Sequence, residues 1–372
     1  MAAAAGASSS ASASRPAAKA LKLNSNNLGA FKISKLFGAP LIDAGRSVTS
    51  VGFDDRGDYL VSASDDDKIH IWDCNKGRHV KTLYSKKYGV HLARFTHKST
   101  AVIYASNKED DTIRHHSLID NTYLQYYRGH KSRVTSLQMS PIDDTFLSAA
   151  KNEAVRFWDL RTPQCQAMLP VQGHPVIAYD ASGRVFAIAL NERPSVSLYD
   201  VRNFTARPFL VIPISDDDFL SQFSMPPRMP VIASLAFNPN GLLLVGTAGD
   251  VHYVLESFNG HILYRLRGHE GLERVQNEDL SMVSESGASG QECGWTPDGN
   301  YVFSGSQSGT IRFWHIPHHQ EQPADAPRPM VQNVSPSVSR EGHQGASRAV
   351  AFNPRSAMMV SGGSKVALWL PD

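Results

Sequence analysis

One pattern, written six times, constrains this chain more than anything else in it. The segments GFDDRGDYLVSASDDDKIHIWDC, QMSPIDDTFLSAAKNEAVRFWDL, YDASGRVFAIALNERPSVSLYDV, AFNPNGLLLVGTAGDVHYVLESF, GWTPDGNYVFSGSQSGTIRFWHI and AFNPRSAMMVSGGSKVALWLP follow one plan. Each opens apolar, turns at a Pro/Asp/Gly cluster, runs a strand of β-branched and small residues, turns again, and closes on an alternating strand that most often ends at an aromatic. Tight turns take Gly, Asn or Asp because positive φ is open to them, and alternation of apolar and polar residues is the mark of a half-buried strand. The phase is nearly constant: Gly57 to Trp72 and Gly299 to Trp314 are both 15 residues, and Gly183 to Tyr199 is 16. Helices have almost no place in such a chain.

A seventh, more degenerate unit is RFTHKSTAVIYASNKEDDTIRHHSLID, with His116 at the aromatic position. The strand-ending positions are then 72, 116, 158, 199, 255, 314 and 369, and the first three steps of 44, 42 and 41 residues match the period of WD repeats, four strands to a propeller blade. Trp72-Asp73 and Trp158-Asp159 are the signature dipeptides, and Gly129-His130, Gly268-His269 and Gly342-His343 are their Gly-His partners. The expected fold is an all-β, single seven-bladed WD40 β-propeller over residues 28–372. Trp72, Trp158, Trp314 and Trp369 should be buried structural anchors. Seven blades must close into a ring or leave unpaired edges. The chain stops just after the Trp369 strand, so blade seven needs an outer strand from elsewhere. FKISKLFG, residues 31–38, is the spare strand that should close it.

Composition narrows the function classes. Of 372 residues, 37 are Lys or Arg and 35 are Asp or Glu, for a net charge of +2, which excludes a chain that binds polyanions through bulk charge. Direct readout of DNA sequence is not expected. No run approaches the roughly 18 apolar residues of a membrane span. Cys74, Cys165 and Cys293 are odd in number and far apart, which fits buried free thiols in a reducing compartment better than disulfides or zinc. Residues 1–27 are Ala/Ser-rich low complexity, expected as a disordered tail; an acid-poor, Ser-rich start also suits an organellar transit peptide. Three longer steps place insertions at 204–230, 270–289 and 317–344, the last Pro-rich and expected as a mobile loop.

No HExxH, GxxxxGK[ST] or GxSxG signature occurs, so neither catalysis nor a cofactor nor a metal is expected. Function should therefore reside on the surface. Loops joining one blade's outer strand to the next blade's inner strand gather on one face of a propeller. Two of them carry Lys86, Lys87 and Tyr88, and then Arg128, Lys131 and Arg133, which would form a basic arc with Tyr88 and Tyr127 interleaved. Such an arc suits an acidic or phosphorylated peptide; a solvated rim accounts for it equally well. Trp158-Asp159-Leu160-Arg161 also fits the WDxR pattern of propellers that dock onto the cullin-4 ubiquitin ligase adaptor, with an Arg161 strand-end salt bridge as the structural alternative.

TLYSKKYGV (82–90), SNKEDDTIR (106–114), MSPIDDTFLS (139–148), VRFWDLRTPQCQ (155–166) and the ending ALWLP (367–371) resemble the WD repeat-containing protein 82 family, from about Phe31 to the C-terminus. The Ala/Ser-rich tail and residues 270–290 and 318–340 depart from that family's pattern. The resemblance implies a nuclear, non-catalytic adaptor of COMPASS-type SET-domain histone H3 lysine-4 methyltransferase complexes. It further implies tethering to RNA polymerase II through its serine-5-phosphorylated C-terminal repeats, and membership of a protein phosphatase 1 complex.

Overall fold

The computed structural model describes residues 23–204, 207–272, 291–317 and 330–372, and in them the repeat becomes seven sheets set in a ring, antiparallel except for one added strand in blade five. A first strand, β1 (Phe31–Phe37), precedes blade one, which is β2 (Val48–Phe53), β3 (Tyr59–Ser64), β4 (Lys68–Asp73) and β5 (Arg78–Tyr84). Blade two is β6 (His91–Phe95), β7 (Ala101–Ala105), β8 (Ile113–Ser117) and β9 (Tyr123–Tyr127). Blade three is β10 (Val134–Met139), β11 (Thr145–Ala150), β12 (Ala154–Asp159) and β13 (Ala167–Pro170). Blade four is β14 (Val176–Tyr179), β15 (Val185–Leu190), β16 (Ser195–Asp200) and β17 (Leu210–Pro213). Blade five is β18 (Ile232–Phe237), β19 (Leu242–Thr247), β20 (Val251–Glu256) and β21 (Ile262–Arg267). Blade six takes β22 (Cys293–Trp295), β23 (Tyr301–Ser304), β24 (Ile311–His315) and, beyond β25 (Gln332–Val334), β26 (Val338–Arg340). Blade seven is β27 (Ala349–Phe352), β28 (Met359–Gly362) and β29 (Val366–Pro371), and β1 pairs antiparallel with β29 as its outer strand.

A four-stranded sheet with two apolar faces cannot bury both by itself, so the core lies between blades. Seven apolar clusters do this, each spanning one pair of neighbours; Trp72 sits with Val360 and Leu368 of blade seven, and Trp158 with Ile103 and Tyr127 of blade two. All four expected tryptophans are fully buried. Their indole N–H groups need acceptors there. Trp72, Trp158 and Trp369 donate to the hydroxyls of Ser62, Ser148 and Ser361 on the neighbouring strand at 2.9, 2.8 and 2.8 Å. In blade three the chain of bonds runs on from Ser148 to His130 at 2.6 Å and from His130 to Glu153 at 2.9 Å, which is why a Gly-His pair precedes the blade. Blade six departs from this plan. Trp314 donates to the Arg267 carbonyl at 2.9 Å, and His269 stacks on His252 with ring centroids 4.0 Å apart.

Around the axis the inner strands are stitched by hydroxyls. A bulge near the start of β2, β10 and β18 re-aims the next residue. Ser50 accepts from Ala93 N at 3.0 Å, Ser136 accepts from Ile177 N at 3.3 Å, and Ser234 meets Cys293 Sγ at 3.1 Å, each in the following blade. Between blades six, seven and one the same work falls to Gln291. Its carbonyl accepts from Val350 N at 2.9 Å, its side-chain oxygen accepts from Val51 N at 2.9 Å, and its side-chain nitrogen donates to Val51 O.

Several expectations need correction. Residues 1–22 of the expected tail lie outside the described residues, but 23–27 belong to the propeller: Leu23 and Leu28 are buried against blades six and seven, and Asn24 caps a short helix, α1 (Ser25–Gly29). The first insertion contains β17, and the third contains β25 and β26. These outer strands are short and half exposed, so they lack the apolar alternation that reveals inner strands. β25 adds a fifth, parallel strand to blade five, and six residues later β26 completes blade six. The insertion segments 205–206, 273–290 and 318–329 lie outside the described residues. All three cysteines are free, but Cys165 is only half-buried.

Ring closure rests on one face of β1. Phe31→Ala should cost about 3–5 kcal/mol, whereas Lys32→Ala, losing an exposed pair with Asp372, should cost under about 1 kcal/mol; guanidinium unfolding distinguishes them. Acid should weaken the same fold. Burial, aided by the neighbouring His269, holds the His252 pKa well below 6.5, and burial brings that of His269 down to about 4. Both rings stay neutral when folded but protonate near 6.5 when unfolded, so stability is full above that value and declines as pH falls toward 4. Melting temperatures measured from pH 7.5 to 4.5 should therefore fall, with a shallower slope in His252→Gln; an unchanged slope would refute this origin.

Candidate partner-binding face on blade two

The loop between blades one and two is built as a rigid turn. Ser85 Oγ donates to Gly89 O at 2.9 Å, and the N–H groups of Tyr88 and Gly89 return to Ser85 O at 3.1 and 2.7 Å. Gly89 has φ +73°, and a Cβ there would collide with the Asn107 side chain, so only glycine closes the turn. The carbonyl of Tyr88 accepts from Asn107 N and Lys108 N, both at 3.1 Å, which pins the turn onto blade two. Lys86 and Lys87 are left exposed, while the Tyr88 ring lies half-buried against the blade.

Beneath that ring lies Arg114 of β8, buried, with its guanidinium 3.8 Å from the Tyr88 centroid and 5.9 Å from that of Tyr126. Asp110 fixes it through a fork of 2.8 and 2.9 Å, and Ser106 accepts a further bond. Arg128 caps the other end at 5.3 Å from the Tyr126 ring, and Lys87 stands 5.2 Å from that of Tyr88. Lys87, Tyr88, Arg114, Tyr126 and Arg128 thus form one alternating row of cations and rings. Each such contact is worth roughly 0.5–2 kcal/mol according to its burial, and together they hold exposed positive charge at set places. Lys131 extends the charge, exposed above a backbone N–H that donates to Glu153 at 3.1 Å. A row of this kind can bind an oxyanion through the exposed Arg128 and Lys87 and stack flat rings on Tyr126.

The structure corrects one member of the expected arc. Tyr127 is not on the surface: it is fully buried, edge-on to Phe146 and Trp158, and its hydroxyl donates to Leu160 O at 3.0 Å. Alternation along β9 turns Tyr126 outward instead, and that alternation was the signal that names it. Arg133 is half-buried, where Lys86, Lys87, Arg128 and Lys131 are exposed. Arg114 and Asp110 carry no surface signature in sequence.

The WDxR residues lie elsewhere. Asp159 pairs with Thr145 at the far end of blade three, opposite the end where Val134 meets Ala150. Trp158 is buried, and Arg161, 78% exposed, grips Asp159 through Nε at 2.9 Å and Nη2 at 2.5 Å.

WD repeat-containing protein 82 of Drosophila melanogaster is 34% identical over 352 residues, 94% of this chain and 98% of that protein. The chain belongs to the WD repeat-containing protein 82 family. Other relatives of the same extent are the Set1 complex component swd2 of Schizosaccharomyces pombe, 33% identical over 87% of this chain and 92% of that one, and the COMPASS component SWD2 of Saccharomyces cerevisiae, 35% identical over 95% and 99%. The WD domain, G-beta repeat family matches residues 41–73, 121–159 and 288–315, which end at or just past Trp72, Trp158 and Trp314. Blade two, whose β8 carries His116 where those blades have tryptophan, is not matched beyond its outer strand. The cation–ring row thus lies on a blade that the repeat model matches only at its outer strand.

Arg114→Lys tests that row from within. It keeps the charge but loses the fork on Asp110 and the flat stack on Tyr88. Chemical unfolding should show a loss of about 1–3 kcal/mol, against no measurable loss for Lys87→Ala.

Proposed function

We propose that the protein is a non-catalytic nuclear adaptor of a COMPASS-type SET-domain histone H3 lysine-4 methyltransferase complex. In this reading it links that complex to RNA polymerase II through the phosphorylated C-terminal repeats. The observation that carries the first half is similarity over nearly the whole chain to a Set1 complex component and a COMPASS component. The cation–ring row supports the second: Lys86, Lys87, Arg128 and Lys131 offer exposed charge beside Tyr126, and the ligand is an extended acidic peptide carrying both phosphates and rings. Arg133 belongs to the same reading. A protein phosphatase 1 complex is a further partner on the same grounds of resemblance.

Two measurements test this. A serine-5-phosphorylated C-terminal repeat peptide should bind in a salt-dependent manner, and replacing Lys86, Lys87, Arg128, Lys131 and Arg133 by alanine should weaken it at least about tenfold, each lost charge-assisted bond being worth roughly 1.5–3 kcal/mol. Unchanged affinity and salt dependence would overturn the site. Affinity purification from nuclear extract should recover a SET-domain methyltransferase and its core subunits. Recovery of the cullin-4 adaptor instead, abolished by Arg161→Ala, would overturn the adaptor reading in favour of a ubiquitin-ligase substrate receptor.

A further inference from the structure

The chain holds four Ser-Pro or Thr-Pro pairs, at 140–141, 162–163, 296–297 and 335–336. Three of them have settled places in the fold. Ser140 and Thr296 are buried, with Thr296 Oγ1 donating to Asp298 at 2.6 Å, and the half-buried Thr162 accepts from Gln166 at 2.8 Å. Ser335 differs. It is exposed, one residue past β25, where the chain crosses from blade five back to blade six. Pro336 has its φ fixed by its ring and keeps the residue before it extended.

What lies beside Ser335 is the end of β21. In the parallel ladder Tyr264 is opposite Gln332, Arg265 opposite Asn333 and Leu266 opposite Val334, so the next step sets Arg267 opposite Ser335. The step after that is visible as close packing: a Cβ on Gly268 would come within 2.9 Å of Pro336 Cδ. The faces agree as well. Leu266 and Val334 pack into one apolar cluster between blades five and six, so by alternation Arg267 and Ser335 take the opposite face. There Arg267 is exposed, its guanidinium 4.9 Å from the centroid of Phe219 and 5.9 Å from that of Phe223, in the segment between β17 and β18. Asp216 engages the neighbouring Arg265 through Nε and Nη2, both at 2.5 Å. Among the described residues no carboxylate pairs with Arg267. An exposed hydroxyl before a proline thus stands beside a cation that two rings position and no acid neutralises.

We propose that Ser335 is a phosphorylation site for a proline-directed protein kinase, and that Arg267 receives the phosphate. In the transfer, Ser335 Oγ bonds to the γ-phosphorus of ATP and the bond from that phosphorus to its bridging oxygen breaks. ADP leaves, and the hydroxyl proton passes to the kinase's catalytic aspartate. The product carries nearly two negative charges and three acceptor oxygens, a match for the planar fork of an arginine. β25 is held to β21 by only three ladder pairs, so local opening of this edge strand frees the segment for a kinase cleft. Once attached, the phosphate favours the docked position. β25 then acts as a latch that ties the outer strand of blade six across blade five. The reading is independent of the partner face on blade two.

The test uses the whole chain, incubated with a purified proline-directed serine/threonine kinase, magnesium and ATP, with sites mapped by mass spectrometry. Phosphate should appear on Ser335 and not on the buried Ser140 or Thr296, and Ser335→Ala should remove it. Hydrogen exchange across Gln332–Val334 should slow about two- to fivefold in the phosphorylated protein, the range of a well-placed surface ion pair. Arg267→Gln should still be phosphorylated but lose that slowing, and Arg267→Lys should keep part of it. Ser335 left unmodified in the folded chain, exchange unchanged by the phosphate, or equal slowing in Arg267→Gln overturns the proposal.

Discussion

A blade of this molecule has two apolar faces and no way to bury either alone, so every blade depends on the pairing of β1 with β29 that completes the last of them. Because neighbours supply each other's core, cohesion is pairwise around the circle, and a circle is only as good as its final joint. The buried indoles serve the same end. Trp72, in blade one, packs on Val360 and Leu368 of blade seven, so that the joint is made by a blade interface as well as by a strand pair. The indole N–H bonds to Ser62, Ser148 and Ser361 keep each tryptophan upright between two sheets.

Much of this could be read from residues alone, because it follows from local chemistry. Turn glycines, alternation and a terminal tryptophan recur in phase, and a spare apolar strand at Phe31–Phe37 has only one open edge to fill. What escaped were elements without a local signature. β17, β25 and β26 are outer strands of three or four residues, of which Ile212 alone is buried. Ring-closing by Gln291 joins residues 240 positions apart. Nothing in the segment QEC announces it.

The binding face shows the same division. Exposed lysines and arginines in two loops could be placed on one side of the ring by counting strands. Arg114 could not, because it is defined by what surrounds it: Asp110 four residues back, Tyr88 on the preceding loop, and Tyr126 on the next strand. Choosing Tyr127 over Tyr126 was an error of one residue, and in a strand one residue exchanges core for solvent. Blade two carries His116 where blades one and three carry tryptophan, and cations and rings lie along its outer edge.

The direction of β1 also governs how the ring answers to force. In its pairing with β29, Phe31 lies opposite Pro371 and Phe37 opposite Val366, so both chain ends leave the pair from the same side. Tension applied through the two ends would not shear all the bonds of that ladder at once. It would open them in succession, like a zipper, beginning at the outermost pair. The clasp that makes the ring cohesive in solution would therefore yield to such a pull bond by bond from the Phe31–Pro371 end, and blade seven would lose its outer strand.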